Sequence, residues 1–251
     1  MMRLLCLVVL GFFQTSAAQA CGLALALGLD VSRSVDVLEY RLQLEGTARA
    51  LRAPAVRGLL LERARARVPA SILVYEWSGT DTQAIIVDWT EIVDEATLAR
   101  LTDRLNRHAR KAKAGSTAIG SAIQFAQRQF ERGPTCDART LDLSGDGKNN
   151  MGIPPEAVRD AAVDAGITIN GLVVGHDRSF TSSSASLQIG EMVAYFQALV
   201  IAGKDPFVET ALGFAKFEEA MVRKLVRELR IPVFGSVTDV DFALAYDGTL
   251  D

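Results

Sequence analysis

Asp30, Ser32 and Ser34 stand at alternate positions in LGLDVSRSVD, residues 28–37, where an apolar run stops. Two other segments carry the same kind of side chain: Thr117 in AGSTAIGSAI and Asp146 in LSGDGKNN. All five side chains offer oxygen, and none offers sulfur or imidazole. That donor set suits a hard divalent cation, Mg2+ or Mn2+. Only two of the five are charged, so a bound cation would keep positive charge and an open or water-filled position. A carboxylate from another protein is the natural group to fill it. Ser32 or Ser34 could instead simply cap the helix that follows.

These residues need a scaffold that brings three segments to one place. CGLALALGLD is a nearly continuous apolar run ended by an acid, as in a strand buried on both faces. Val37, Tyr40, Leu44, Ala48 and Leu51 then recur at helical spacing. ASILVYEWSG and TQAIIVDWT form a predicted hairpin, flanked by Trp77 and Trp89, both read as packing residues. Residues 94–112 read as a helix ending in the basic run RHARKAK. A loop carrying Thr117 leads into a helix that buries Ile119, Ala122, Ile123, Ala126 and Phe130.

RTLDLSGDG reads as a strand and acidic loop, PPEAVRDAAVDAG as a helix, and ITINGLVVG as a strand. The Ser/Thr-rich loop RSFTSSSASLQ, a helix over about 188–202 and the short strand PFVET follow. The last clear helix puts Phe214, Phe217, Met221 and Leu225 on one face, with Lys, Arg and Glu opposite. Alternating strands and helices predict an α/β domain. Its sheet is doubly wound and mostly parallel, with one antiparallel edge strand and helices on both faces. Ligands of such sheets bind beyond the strand carboxyl ends, where Asp30 and Asp146 fall.

The 251 residues, 49% of them hydrophobic, suffice for one large domain with a real core. The net charge of -3 excludes a generally basic nucleic-acid binder. Residues 1–20 read as a signal peptide: Arg3 is the positive start, Leu4 to Phe13 the apolar core, and AQA at 18–20 the cleavage pattern. Cys21 would follow the cut as in a lipoprotein, but Ala18-Gln19 is a poor context for lipid attachment. The expected organisation is a signal over 1–20, a domain over 21–230 and an acidic tail over 231–251. No later stretch is long enough to span a membrane. The mature chain is expected to be exported to the periplasm or beyond, with two cysteines left, Cys21 and Cys136.

DVSRS, GSTAIGSAI and LSGDG occur in the order of the three loops of the von Willebrand factor type A domain, and the chain resembles that family over residues 22–230. DVSRSVD and SGDG-NN look closest to exported bacterial A-domain proteins of unknown function. The resemblance implies a metal-ion-dependent adhesion site, or MIDAS. Asp30, Ser32 and Ser34 match the first loop, Thr117 the second, and Asp146 the third, whose acid often acts through water. The third loop usually reads Thr-Asp-Gly. Here it reads Ser144-Gly145-Asp146-Gly147, and Gly145 is expected to loosen the backbone before the acid.

In the A-domain strand order, the strands bearing Cys21 and Cys136 are neighbours. Each cysteine lies nine or ten residues before its strand's terminal acid. Both would then sit near the opposite edge, within the roughly 4.4–6.8 Å a disulfide needs.

Other readings fare worse. An EF-hand needs Gly and Glu where Val35 and Arg41 stand. A P-loop fails because GDGKNN lacks the spacer and the hydroxyl after Lys. A metal-dependent hydrolase is the rival class. Its base would have to come from two histidines: His108, read as a solvated residue in the basic helix end, and His176, read as a loop residue. The favoured reading is a non-enzymatic protein-binding module that ligates a partner's Asp or Glu. RHARKAK would attract an acidic partner if it borders the metal face, and reads otherwise as a solvated helix end. The TSSSAS loop would border the site or be plain surface.

Overall fold

The computed structural model describes residues 21–113, 115–175 and 183–230. The signal peptide and the acidic tail expected from the sequence lie outside the described residues, as does His176.

Among the described residues six strands form one sheet: β1 (Cys21–Asp30), β2 (Ala70–Trp77), β3 (Gln83–Glu91), β4 (Cys136–Gly145), β5 (Ile167–Val174) and β6 (Val208–Ala211). Their order is β3-β2-β1-β4-β5-β6. Only β3 runs antiparallel, at the edge. The helices are α1 (Val37–Arg52), α2 (Pro54–Arg65), α3 (Glu95–Arg107), α4 (Ile119–Arg132), α5 (Glu156–Asp164), α6 (Ser183–Tyr195) and α7 (Phe217–Leu229). A π-helical turn, Phe196–Val200, extends α6. The sheet separates two cores, and the expected α/β architecture is observed.

β1 shows how the pattern works. Leu23, Leu25, Leu27 and Leu29 enter the core under α1, α2, α3 and α7. Ala24 and Ala26 enter the other core, under α4 and α5. Period-two alternation puts successive side chains on opposite faces. Gly28 has no room for a side chain, because a Cβ would lie 2.6 Å from Tyr75 Oη. That close approach lets Tyr75 donate to the Ala122 carbonyl of α4 at 3.0 Å.

The two cysteines are Cα partners in the β1–β4 register. They form a disulfide, with Cα atoms 4.5 Å apart. It sits at the amino edge of the sheet, opposite the strand ends that carry Asp30 and Asp146. Trp77 is fully buried, and Trp89 packs on Phe130 at 5.3 Å between ring centroids.

Three expectations need correction. The helix expected to Ala112 ends at Arg107, because Lys111 and Ala112 turn their N–H groups onto the buried Glu76 carboxylate. Val37 does not join the buried stripe of α1 and is 78% exposed, since it lies one turn beyond the edge of the core. Lys224 of α7 is not on a solvated face. It is fully buried, paired with Asp142 at 3.2 Å and Glu228 at 3.0 Å.

Candidate metal centre

β1 delivers Asp30 to the carboxyl edge of the sheet, where it is 1% exposed. Its Oδ1 accepts from the Ser32 N–H at 2.7 Å, bending the chain into the first loop. Ser32 Oγ lies 3.0 Å from Ser34 Oγ. Ser34 Oγ in turn donates to Asp146 Oδ1 at 2.7 Å. A continuous line of oxygens therefore joins the first loop to the third. The first loop ends at Asp36, which caps α1 in a reciprocal box with Glu39, at 2.9 and 2.8 Å. The capping role thus falls to Asp36, leaving Ser32 and Ser34 on the acid side of the loop.

The second loop is clasped to the third. Thr117 N–H donates to Asn150 Oδ1 at 2.9 Å, and Asn150 N–H returns to the Thr117 carbonyl at 2.9 Å. The Arg33 N–H donates to the Gly115 carbonyl at 2.9 Å, closing the ring of three loops. The glycines of the third loop are close-approach positions. A Cβ at Gly145 would come 3.4 Å from Asp30 Oδ2, and one at Gly147 would come 3.4 Å from Thr117 Oγ1. Gly145 does not loosen the backbone: it is the last residue of β4 and pairs with Val173 of β5. All five residues singled out in the sequence thus converge at one edge.

Several supporting residues escaped the sequence reading. Gln43 of α1 donates to the Asp30 carbonyl at 2.9 Å and accepts from Ser144 Oγ at 2.7 Å, locking the two acid-bearing strands together. Its place in an apolar helical stripe was the available signal. Arg110 donates to the carbonyls of Val31, Ser32 and Val35. Its guanidinium also stacks over Tyr40 at 5.5 Å. Part of the basic run is therefore a clamp on the first loop, not a solvated helix end. His108 belongs to the same device: its Nε2 is 3.6 Å from Glu76 Oε2 and its side chain is 8% exposed. Burial pulls its pKa below the ordinary histidine range. Of the Ser/Thr-rich loop, residues 183–188 belong to α6, which begins five residues before the expected 188, and residues 178–182 lie outside the described residues.

The electrostatics bear on whether these residues suit a cation. Burial, and then the neighbouring Asp146 carboxylate, push the Asp30 pKa up to about 7, against hydrogen bonds from Ser32 that hold it down. Asp30 Oδ2 is buried with no hydrogen-bond partner. A buried acceptor left in this state costs about 1–3 kcal/mol or more. A divalent cation would offset both the repulsion and the missing partner. Among the described residues no three His, Cys, Asp or Glu side chains cluster as ligands, so a cation at this edge must draw on hydroxyls. The residues fit such an ion.

The family model for proteins of unknown function designated DUF1194 matches residues 20–233. No curated protein matches the chain. Among solved structures, proximal thread matrix protein 1 from the mussel byssus is similar over 84% of this chain and 47% of its own, at 17% identity and a TM-score of 0.54. This chain therefore spans about half the length of that protein, which has also been solved with a zinc-occupied MIDAS motif. A von Willebrand factor type A protein from Catenulispora acidiphila is similar over 84% of this chain and 43% of its own, at 16% identity and a TM-score of 0.55. The corresponding domain of the type V pili tip protein Mfa5 from Porphyromonas gingivalis is covered over its full length by 88% of this chain, at 11% identity and a TM-score of 0.52. At these identities the likeness is one of fold, and the fold is that of the von Willebrand factor type A domain.

Proposed function

The chain belongs to the DUF1194 family, and we propose that it is an exported, metal-dependent protein-binding module of the adhesion type. Asp30, Ser32, Ser34 and Thr117 would hold Mg2+ or Mn2+, with Asp146 contributing directly or through water. The bound cation would supply an electrophilic position that an Asp or Glu carboxylate of a partner protein completes. The observation carrying this reading is the convergence of three oxygen-bearing loops on two buried, mutually repelling carboxylates, with Asp30 pushed up to about 7.

The chain's own groups do the positioning. Gln43 and Arg110 fix the first loop by its carbonyls, and Asn150 fixes the second. The pilus and byssus proteins that share the fold support an extracellular binding role. Among the described residues no helix is long and apolar enough to cross a membrane. A hydrolase reading gains nothing from His108, which is engaged with Glu76 and nearly closed to solvent.

The test is thermal unfolding in EDTA and in millimolar Mg2+ or Mn2+. Metal at about 100 times its Kd should add roughly 2.7 kcal/mol of stability. Asp30→Ala should remove that gain. An unchanged wild-type melting curve would falsify the metal site. Partner capture should vanish in EDTA and in the Ser32→Ala, Ser34→Ala double variant, whereas retention under both conditions would assign binding to another surface.

A further inference from the structure

Exposed apolar side chains gather around the polar metal edge. Val37 and Leu38 follow the first loop, Met151 and Ile153 follow the third, and Leu212 follows β6. Each lies on a segment leaving the carboxyl end of a parallel strand. A single exposed apolar side chain is ordinary, but a group around a binding site marks a contact surface. Positive charge frames the same edge: Arg33, Lys111 and Lys113 are exposed, as is Lys148, which pairs with Glu191 at 3.6 Å. The surface therefore suits an acidic segment whose carboxylates sit beside large apolar residues.

Residues 231–251 have that composition. IPVFGSVTDVDFALAYDGTLD contains four Asp and no Lys or Arg. Asp241 lies between Val240 and Phe242, and Asp251 follows Leu250. Reach is sufficient. α7 returns to the amino edge, where the Leu229 carbonyl accepts from Arg63 Nη1 at 3.3 Å. β1, which runs the height of the sheet, spans about 33 Å. An extended chain from Arg230 covers about 36 Å by Asp241 and about 56 Å by Asp247.

We infer that residues 231–251 are a tethered ligand for the metal edge of their own chain. An Asp carboxylate of the segment completes the cation's shell, while neighbouring Val, Phe and Leu side chains cover Val37, Leu38, Met151 and Ile153. This rests on the metal-dependent binding reading above. Tethering within one chain holds a ligand at an effective concentration on the order of millimolar. A partner with a separate acidic group must therefore displace the segment, which makes it a built-in competitor that sets the affinity threshold for outside ligands.

The experiment uses the full chain and a variant with Asp239→Asn, Asp241→Asn, Asp247→Asn and Asp251→Asn. Hydrogen exchange by mass spectrometry follows residues 31–38, 147–153 and 231–251, with and without Mn2+, and calorimetry gives the Mn2+ affinity. The wild type should show metal-dependent slowing in all three stretches. The variant should lose the slowing in 231–251 and bind Mn2+ about tenfold more weakly. Equal affinity and exchange in the two proteins would overturn the tethered ligand and leave the metal site standing. A wild type that binds no Mn2+ would overturn both. Slowing that grows with protein concentration would assign the segment to a second copy and overturn the intrachain ligand.

Discussion

Asp142 and Glu228 share one ammonium group, that of Lys224, inside the core below α7. Asn170 adds a bond to Glu228 at 2.8 Å. Two acids on one base leave a buried charge imbalance. Burial first, and then Glu228, raise the Asp142 pKa to about 7, although Lys224 opposes the shift. The native state thus keeps a proton that the unfolded chain releases near pH 4. The stability from this group is fully present below about pH 4 and is lost as pH rises through about 7. Asp142→Asn removes that titration and leaves Lys224 paired with Glu228. Urea unfolding in EDTA at pH 5 and pH 8 should show a smaller loss of stability across that interval in the variant. Asp30 acts in the same direction, so a residual slope should remain. An undiminished slope would exclude Asp142 as its source.

At the scale of elements, the third loop is held by the start of α4. A Cβ on Gly120 would stand 2.1 Å from the Ile153 carbonyl oxygen, a backbone atom that cannot swing aside. Gly120→Ala should therefore push α4 and the 151–155 segment apart. The expected cost is about 1–3 kcal/mol by urea unfolding, as for other overpacked sites. The stability gained from Mn2+ should shrink with it, because Asn150, immediately before this segment, clasps the second loop. A variant as stable and as metal-responsive as the wild type would refute the contact. The end of α3 follows similar local chemistry. Helical spacing continued through 108–112, but a buried Glu76 offered the Lys111 and Ala112 N–H groups a stronger acceptor.

Across the whole molecule, the disulfide and the metal edge occupy opposite ends of the sheet. The Cys21–Cys136 bond joins residues 115 apart in sequence. Replacing both cysteines with Ala should lower stability by about 2–4 kcal/mol. The metal-induced rise in melting temperature should persist, because sites this far apart act additively. Loss of the rise along with the disulfide would mean that the two ends are coupled through β1 and β4.

The sequence alone determined the order of the strands and of every helix but α2 (Pro54–Arg65), the parallel sheet with its antiparallel edge, and the five oxygen-bearing residues at one rim. These follow from local rules: period-two and helical spacing, and acids that stop apolar runs. The cysteine pairing was also reachable, once the strand order was taken from the family resemblance and the registers counted. The tertiary structure decided the partners of polar groups distant in the chain. Gln43 bridging Asp30 to Ser144, Arg110 clamping the first loop, His108 against Glu76 and Lys224 between two acids all join residues on separate elements. In sequence, a buried charge and a solvated one look alike on an amphipathic helix. Only packing of the opposite element removes water from one of them, and that removal both forces the pairing and shifts the pKa.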